Sequence, residues 1–484
     1  MTFNSFEFLL FYPTVLGLYF ILPHKFRWIM LLVASYYFYA CYQYELLFLI
    51  AGTTLVSWLM SKAIERCESA WLKRLCLALT LIVCLGVLAI YKYADFFISS
   101  VGGIASAFGA TVAFSELSLV LPVGISFYTF QTLSYVIDVY RGNIKTEPNF
   151  FFYALFVSFF PQLVAGPIER PDNLIPQLKV EHRWNRDNAL SGAKRMMLGF
   201  FKKIAVADVV SVYVDAVYNN PEGADSLGVI IATVLFAVQI YCDFSGYTDI
   251  AIGCARIMGI RLMKNFDYPY SSVTIKEFWS RWHISLSSWF KDYLYFPLGG
   301  SRCAKWRHLL NLMIVFTVSG LWHGAAWTFV IWGLLHGVYQ VVGTLTIGVR
   351  NRLVEKCGKA PKDPSVRAVR RVITFVLVSF AWIFFRANSV SELGVLLNRL
   401  FTKFASPTET LVLLGVDLAG ILTLIFSIGI LILLDRMLDY EEKNPVSEIM
   451  VKQGAFLYII WAVLICWMLL FSKDILSTFI YFQF

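Results

Sequence analysis

Charged residues are scarce in this chain. Of its 484 residues, Asp, Glu, Lys and Arg make up 15%, whereas hydrophobic residues make up 58%. A soluble domain carries roughly a quarter of charged residues, so this balance excludes an ordinary soluble enzyme. No polar interval is long enough to form a separate soluble domain. We therefore expect a single integral-membrane domain over residues 1–484.

The sequence also lacks the short motifs of several enzyme classes. It has no phosphate-binding Gly-x-x-x-x-Gly-Lys-Ser/Thr loop, no Gly-x-Gly-x-x-Gly, no Gly-x-Ser-x-Gly elbow and no His-Glu-x-x-His. These absences argue against a nucleotide-driven pump, a nicotinamide enzyme, a self-contained serine esterase and a zinc protease. The nine cysteines form no Cys-x-x-Cys pair, so neither a disulfide framework nor a metal site is expected.

Long apolar runs are abundant instead. About 20 apolar residues are needed to cross roughly 30 Å of hydrocarbon as a helix, and runs of that kind recur along the whole chain. They predict an all-α polytopic membrane protein with about ten to twelve spans. The start of the chain lacks the basic region of a signal peptide, so we expect a retained first segment. The predicted spans lie near 6–22, 28–60 (two), 75–97, 115–138, 149–167, 195–218, 226–258, 310–348 (two), 369–386, 411–434 and 454–472.

The net charge of +9 is concentrated in short segments. Residues 350–371 carry eight Lys and Arg against two acids, and residues 194–203 and 301–308 are also basic. Short basic loops favour the cytoplasmic face, so these three segments predict the inner side of the membrane. Binding of nucleic acid is not favoured, because no soluble basic fold presents them. Anionic membrane lipid or a phosphate-bearing cosubstrate such as coenzyme A is an alternative partner.

His323 is the foremost candidate for a functional residue. It lies in a run without any charged residue from 309 to 349, between two of the basic loops. A titratable ring is costly in hydrocarbon unless it faces a cavity or a partner. Because both flanking loops are predicted to be cytoplasmic, the run crosses an even number of times and places His323 inside the membrane.

His283 lies in a second aromatic segment. If residues 277–290 form one helix, Trp279, Trp282 and His283 share one face with Leu286 and Phe290. A lone histidine on an apolar face is more often a core residue than a catalyst, so the pattern alone leaves its role open.

Two further polar residues lie within apolar sequence. His336 follows His323 by thirteen residues, which on one unbroken helix points the two rings about 140° apart. We therefore interpret His336 as structural or tunnel-lining. Asp243 and Asp249 diverge by about 120° on a helix, which argues against an acid–base pair and favours hydrogen bonds between helices or a cap at Asp243. The candidates for residues that line a tunnel or contact substrate are Trp279, Trp282, Trp322, Trp327, His336 and Asp243.

An ordered set of motifs resembles the membrane-bound O-acyltransferase family, in particular its bacterial branch of alginate and peptidoglycan O-acetylation proteins and, more distantly, teichoic-acid D-alanylation. The two central motifs are SRWHISLSSWFKDYLYFPLGG at 280–300 and GLWHGAAW at 320–327. The resemblance covers nearly the whole chain. The other motifs are FPQLVAGPI at 160–168, GFFKK at 199–203, YCDFSGYTD at 241–249, AWIFFRA at 381–387 and FIYFQF at 479–484.

This resemblance implies a bundle of about eleven membrane helices, with re-entrant or interfacial helices, around a central funnel or tunnel. It implies that His323 is the catalytic histidine and that His283 fills the family's second polar position. The implied reaction moves an acyl group from a cytosolic thioester, such as acetyl-CoA, with no bound cofactor. In this branch acetyl passes across the inner membrane toward an extracytoplasmic serine-hydrolase-like partner, which completes transfer to a polysaccharide.

The residue types suit such chemistry. A neutral imidazole can take the proton of an attacking hydroxyl, which accelerates a reaction roughly 10²- to 10⁴-fold. The oxyanion then needs a donor, and Trp322, Trp327 or a backbone N–H near Gly324 can supply one. His283 can orient His323, bind the thioester carbonyl or carry a second proton, and an acyl-histidine intermediate is also conceivable.

Two alternatives remain at this point. One is transfer of another acyl group, such as D-alanine from a carrier protein, to a cell-envelope polymer. The other is a transporter or flippase of a lipid-linked sugar, since buried His and Asp and glycine-broken helices occur in transporters too.

Overall fold

The fold is helical throughout the part of the chain that the computed structural model describes, and that part contains no β-strand. The described residues are 1–42, 44–109, 115, 117–164, 166–416, 418–443, 461–468 and 479–480. Within them the α-helices are α1 Phe6–Ile21, α2 His24–Ala40, α3 Leu47–Arg66, α4 Ala70–Leu88, α5 Ala94–Ala107, α6 Ile125–Arg141, α7 Phe150–Ser158, α8 Phe160–Leu163, α9 Pro171–Lys179, α10 Arg186–Phe200, α11 Asp208–Tyr218, α12 Ser226–Ile257, α13 Ile275–Arg281, α14 Ile284–Phe290, α15 Lys305–His323, α16 Trp327–Lys356, α17 Pro364–Arg386, α18 Val390–Thr402, α19 Pro407–Leu414 and α20 Leu418–Lys443.

Three π-helical segments interrupt or extend these helices, at Ala89–Tyr93, Phe201–Ala207 and Lys291–Tyr295. The first joins α4 to α5 and the second joins α10 to α11. Short 3₁₀ turns lie at Tyr44–Leu46 and Pro269–Ser271.

Five of the described helical stretches are long and apolar enough to cross a membrane. The multi-pass membrane character is therefore confirmed, whereas the count of about eleven spans is not. The five stretches are Tyr44–Arg66, Ala70–Ala107, Ser226–Ile257, Trp327–Lys356 and Pro364–Arg386, and shorter apolar helices lie at Phe6–Ile21 and Gly420–Asp435.

Some predicted spans differ from the observed helices. The apolar run 115–138 is helical only from Ile125, because Pro122 precedes it and Gly124 adopts a left-handed conformation with φ of 72°. The run 149–167 forms two short helices, α7 and α8, and Pro161 lies in the first turn of α8, where proline is tolerated. Most of the run 454–472 lies outside the described residues.

Helix α12 lies at the centre of the bundle, packed against α10, α11, α17 and α18. Its close approach to α10 depends on two pairs of glycines. A Cβ on Gly199 would lie 2.5 Å from the Gly246 carbonyl oxygen, and one on Gly253 would lie 2.6 Å from that of Gly192. Small residues of this kind let membrane helices pack backbone against backbone.

Ion pairs tie the second π-helical segment to its neighbours. Lys202 contacts Asp249 (2.9 Å) and Asp435 (2.7 Å), and Lys203 contacts Asp208 and Asp243 (2.8 Å each). Buried charges are tolerated only when they are paired in this way. As the sequence predicts, Asp243 and Asp249 make separate interhelical contacts and do not pair with each other.

Candidate active site

The hairpin of α15 and α16 places His323 at its turn. His323 is the last residue of α15, and α16 begins at Trp327. The two helices touch through glycines: a Cβ on Gly320 would lie 2.3 Å from the Phe329 carbonyl oxygen and 3.0 Å from the Gly333 Cα. The hairpin therefore brings a buried imidazole, 2% exposed, to a chain reversal where helix-end carbonyls need partners.

Lys92 and Tyr93 supply those partners from the first π-helical segment. The Lys92 ammonium donates to the carbonyls of Trp322 (2.8 Å) and His323 (3.2 Å), and the Tyr93 hydroxyl donates to that of Leu321 (2.9 Å). A π-helical turn shifts the helical register locally, and such turns are frequent at functional sites. Here two consecutive side chains, Lys92 and Tyr93, both reach the C-terminus of α15. A cation at this end of a helix also interacts favourably with the helix dipole.

His283 lies at a break between α13 and α14, so the single helix predicted over residues 277–290 is wrong. Trp282 ends α13 in an extended conformation, and His283 has a left-handed φ of 45°. On α13, Glu277 and Arg281 form an ion pair at 2.9 Å. The helix breaks here because the Ile284 N–H donates to the Asn265 carbonyl (2.9 Å), in the loop before α13, and not to a carbonyl of α13.

The two histidines lie close together, which a separation of 40 residues in sequence could not reveal. Their ring centroids are 6.3 Å apart, and both rings contact Trp322, at 5.0 Å from His323 and 5.9 Å from His283. Phe127 packs against His283 and Trp322. The indole N–H of Trp322 is buried, and among the described residues it has no hydrogen-bond partner.

Three of the predicted lining residues, Trp279, Trp282 and His336, pack behind the pair together with Trp332. Trp332 packs on both His323 and His336, with ring centroids 5.0 Å away in each case. The Trp279 indole donates to the His336 Nδ1 (3.2 Å). Trp282 is fully buried among aromatic rings, including Phe278 and Trp382.

A small cavity of about 50 Å³ lies beside His323. It is bounded by the N-terminus of α6, the loop before it and the end of α15. That volume holds only one or two waters. Its described lining residues are Tyr42, Lys92, Leu121, Pro122, Val123, Gly124, Ile125, Ser126, Phe127, Val164, Trp322 and His323.

A larger cavity of about 620 Å³ lies at the opposite end of α6, roughly 25 Å away at 1.5 Å per helical residue. Two pairs of its lining residues are in contact: Arg170 with Asp292 (2.8 Å) and Tyr293 with Asp138 (2.6 Å). Aromatic side chains of α6, α14 and the third π-helical segment connect the two ends. Phe130 stacks on Trp289 with centroids 3.8 Å apart, and Trp289 contacts Tyr293.

Two predicted lining residues lie elsewhere. The Trp327 side chain is 51% exposed and donates to Ser100, because the extended backbone at Ala326 turns it away from His323. Asp243 bonds to Lys203 and accepts from the Ile480 N–H (2.7 Å). Like Trp279, Trp282 and His336, neither residue is among the described lining residues of either cavity, whereas Trp322 lines the small one.

Comparison with known sequences identifies the family. Residues 143–354 match the model of MBOAT, the membrane-bound O-acyltransferase family. The chain is 40% identical over 400 residues to a probable alginate O-acetylase of Pseudomonas aeruginosa, which covers 81% of this chain and 73% of that protein. This protein belongs to the membrane-bound O-acyltransferase family. It is therefore a membrane enzyme that catalyses O-acyl transfer.

Other relatives within this family act on different acceptors, by their names. The chain is 34% identical over 388 residues to the peptidoglycan O-acetyltransferase of Helicobacter pylori, covering 75% of this chain and 71% of that protein. It is 28% identical over 285 residues to the teichoic acid D-alanyltransferase of Bacillus subtilis, covering 55% and 69%. The predicted family is thus confirmed, and the transporter alternative is not supported.

Sequence reasoning missed Lys92 and Asn265 in this acyltransferase. Lys92 carried a usable signal, since a lysine within a long apolar stretch is a candidate functional residue by default. Asn265 lies in an irregular loop, where no periodicity or spacing distinguishes it. In the described residues no group of three or more His, Cys, Asp or Glu side chains is placed to hold a metal ion.

Proposed function

We propose that this enzyme moves an acetyl group from a cytosolic thioester, acetyl-CoA, toward the hydroxyl of an extracytoplasmic envelope polysaccharide. The observation that carries the proposal is the placement of His323 in a small cavity, beside the buried donor Trp322 and close to His283. The names of the alginate and peptidoglycan relatives support acetyl as the group and a polysaccharide as the acceptor.

In the proposed step His323 acts as the general base. The acceptor oxygen forms a bond to the thioester carbonyl carbon while its proton passes to the His323 ring, and the carbonyl π electrons move onto oxygen. The buried Trp322 indole N–H, from a residue that lines the small cavity, supplies the donor for this oxyanion in the proposed step, whereas the exposed Trp327 does not. Collapse breaks the C–S bond, and the sulfur leaves as a thiol after taking the proton from His323.

The size of the cavity supports acetyl over larger groups. A space of about 50 Å³ is close to the volume of an acetyl group and much smaller than that of a sugar ring. The hydroxyl of a serine side chain, such as that of a hydrolase-like partner protein, is small enough to approach this cavity, whereas a polysaccharide chain is not. We therefore propose that acetyl passes to such an extracytoplasmic partner, which completes the transfer.

The charge of the cavity also bears on the choice of donor. A D-alanyl group carries an ammonium, which needs an acidic partner in a site of low polarity. The described lining residues include Lys92 and no carboxylate. This favours acetyl over D-alanyl transfer, the second candidate, which the teichoic acid relatives suggest.

We infer the direction of transfer from the two cavities and the charge of the neighbouring loop. Phe296 and Pro297 of the large cavity directly precede the basic segment 301–308, which predicts the cytoplasmic side. The thioester would thus enter at the large cavity and the acceptor at the small one, across the inner membrane of the cell.

The test uses the purified protein in lipid nanodiscs with two donors, acetyl-CoA and a D-alanyl carrier protein. Release of free thiol is followed with a chromogenic reagent. The variant Trp327→Phe, at an exposed position, is the matched control for the effects of expression and purification of a variant. Turnover of acetyl-CoA alone supports the proposal. Turnover of the D-alanyl donor alone contradicts it.

A further inference from the structure

The hydrogen bonds between His283 and the loop before α13 have a defined direction from donor to acceptor. Asn265 is fully buried, and its Oδ1 contacts three groups: the Ser285 N–H (3.2 Å), the Ser285 hydroxyl (2.9 Å) and the His283 Nδ1 (3.1 Å). A backbone N–H can only donate, so the Asn265 atom that faces it is the carbonyl oxygen and not the amide nitrogen.

The hydroxyl of Ser285 is oriented in the same way. Its oxygen accepts from the Ile168 N–H (3.1 Å), which leaves its proton for Asn265. A backbone N–H therefore lies at each end of this chain of bonds and fixes its direction. Because Asn265 Oδ1 can only accept, His283 Nδ1 must carry a proton and donate it. The ring is fully buried, and burial disfavours the charged imidazolium, so Nε2 is the unprotonated nitrogen.

We propose that Asn265 is a positioning residue that holds His283 in the Nδ1–H tautomer, with the lone pair on Nε2. The backbone contact from Ile284 to Asn265 and the left-handed conformation of His283 lock the ring to the same loop. The hydrogen bond made by one ring nitrogen commonly decides which tautomer of a histidine is present.

This tautomer separates the roles that sequence leaves open for His283, and in that respect it rests on the proposed acyl transfer. A neutral His283 with an unprotonated Nε2 accepts a hydrogen bond or a proton there. It cannot donate from Nε2 to the thioester carbonyl oxygen. The oxyanion donor must then be another group, such as Trp322, and His283 serves as a proton acceptor beside His323.

The first measurement is the ¹⁵N solid-state NMR spectrum of the histidine-labelled protein in lipid bilayers, with His283→Gln used to assign the signal. We expect a protonated Nδ1 and an unprotonated Nε2 at His283 near neutral pH. A protonated Nε2 with an unprotonated Nδ1 would overturn the proposal, whatever any variant does.

Variants then test the part played by Asn265. Asn265→Ala removes the acceptor, so we expect a mixture of tautomers and a decrease in kcat of about 10- to 100-fold, with a smaller change in KM. Asn265→Asp keeps an acceptor oxygen and should retain the wild-type tautomer and restore part of kcat. Unchanged tautomer and kcat in a folded Asn265→Ala protein would contradict the proposal.

A buried asparagine elsewhere provides the matched control. Asn311 is fully buried and bonds to the carbonyls of Leu298 and Gly300. Asn311→Ala should therefore leave the His283 tautomer unchanged, and a change there equal to that in Asn265→Ala would contradict a specific role.

The tautomer is read without turnover, so the two proposals fail separately. The Nδ1–H tautomer in a protein that releases no thiol from either donor would overturn only the proposed function. The opposite tautomer in an active acetyltransferase would overturn only the role of Asn265.

Discussion

Replacing Lys92 by methionine should uncouple the end of α15 from the π-helical segment that holds it. Methionine keeps the unbranched apolar stem but has no donor for the carbonyls of Trp322 and His323, which Lys92 contacts at 2.8 and 3.2 Å. A hydrogen bond to a charged group contributes about 1.5–3 kcal/mol. At the lower end of this range for each bond, the two bonds together contribute about 3 kcal/mol.

If that energy positions the His323 ring, its loss reduces kcat by roughly 10²-fold, since 1.36 kcal/mol corresponds to a factor of ten. The assay is thiol release from the acyl donor in nanodiscs, with thermal stability measured in parallel. Tyr93→Phe is the matched variant, because it removes one neutral bond of about 1 kcal/mol to Leu321 and should reduce kcat less than tenfold. A Lys92→Met protein with kcat within threefold of wild type, or equal to that of Tyr93→Phe, would refute this reasoning.

Three further changes have distinct expected outcomes. Gly320→Ala places a methyl 2.3 Å from the Phe329 carbonyl oxygen and should lower stability by about 1–3 kcal/mol, whereas Gly343→Ala, with open space around it, should not; equal thermal midpoints would contradict the close crossing. Burial raises the pKa of Glu169 from 4.5 to about 7, so the native state binds more protons than the unfolded state in this pH window, and stability falls as pH rises through it. Glu169→Gln does not titrate, so the difference in thermal midpoint between the variant and wild type should shift in favour of the variant from pH 5 to pH 8. Parallel pH curves for the two proteins would contradict this. Trp327→Phe should retain wild-type kcat, and a tenfold loss would show that Trp327 contributes to the active site.

The extent of sequence prediction differs between the fold and the site. Apolar runs and basic loops predict a polytopic helical protein because hydrocarbon imposes strong compositional limits on every span. They do not predict where helices break: the break before His283 depends on a hydrogen bond from Ile284 to Asn265, across a separation in sequence that no local pattern encodes.

The same distinction applies to the candidate site. His323 could be singled out because a titratable ring in a long apolar run is costly. That His283, Lys92 and Phe127 lie beside it could not be predicted, because their approach depends on how separate helices pack. Trp327 was expected near His323 from proximity in sequence, but the extended backbone at Gly324 and Ala326 turns its side chain outward.

The most direct test of the central claim is turnover of acetyl-CoA by wild type and by His323→Gln, in nanodiscs and at matched thermal stability. We predict that wild type releases free CoA and that His323→Gln loses at least about 10² of the rate, the contribution expected of a general base. Equal turnover by the two proteins would contradict the assignment of His323 as the base.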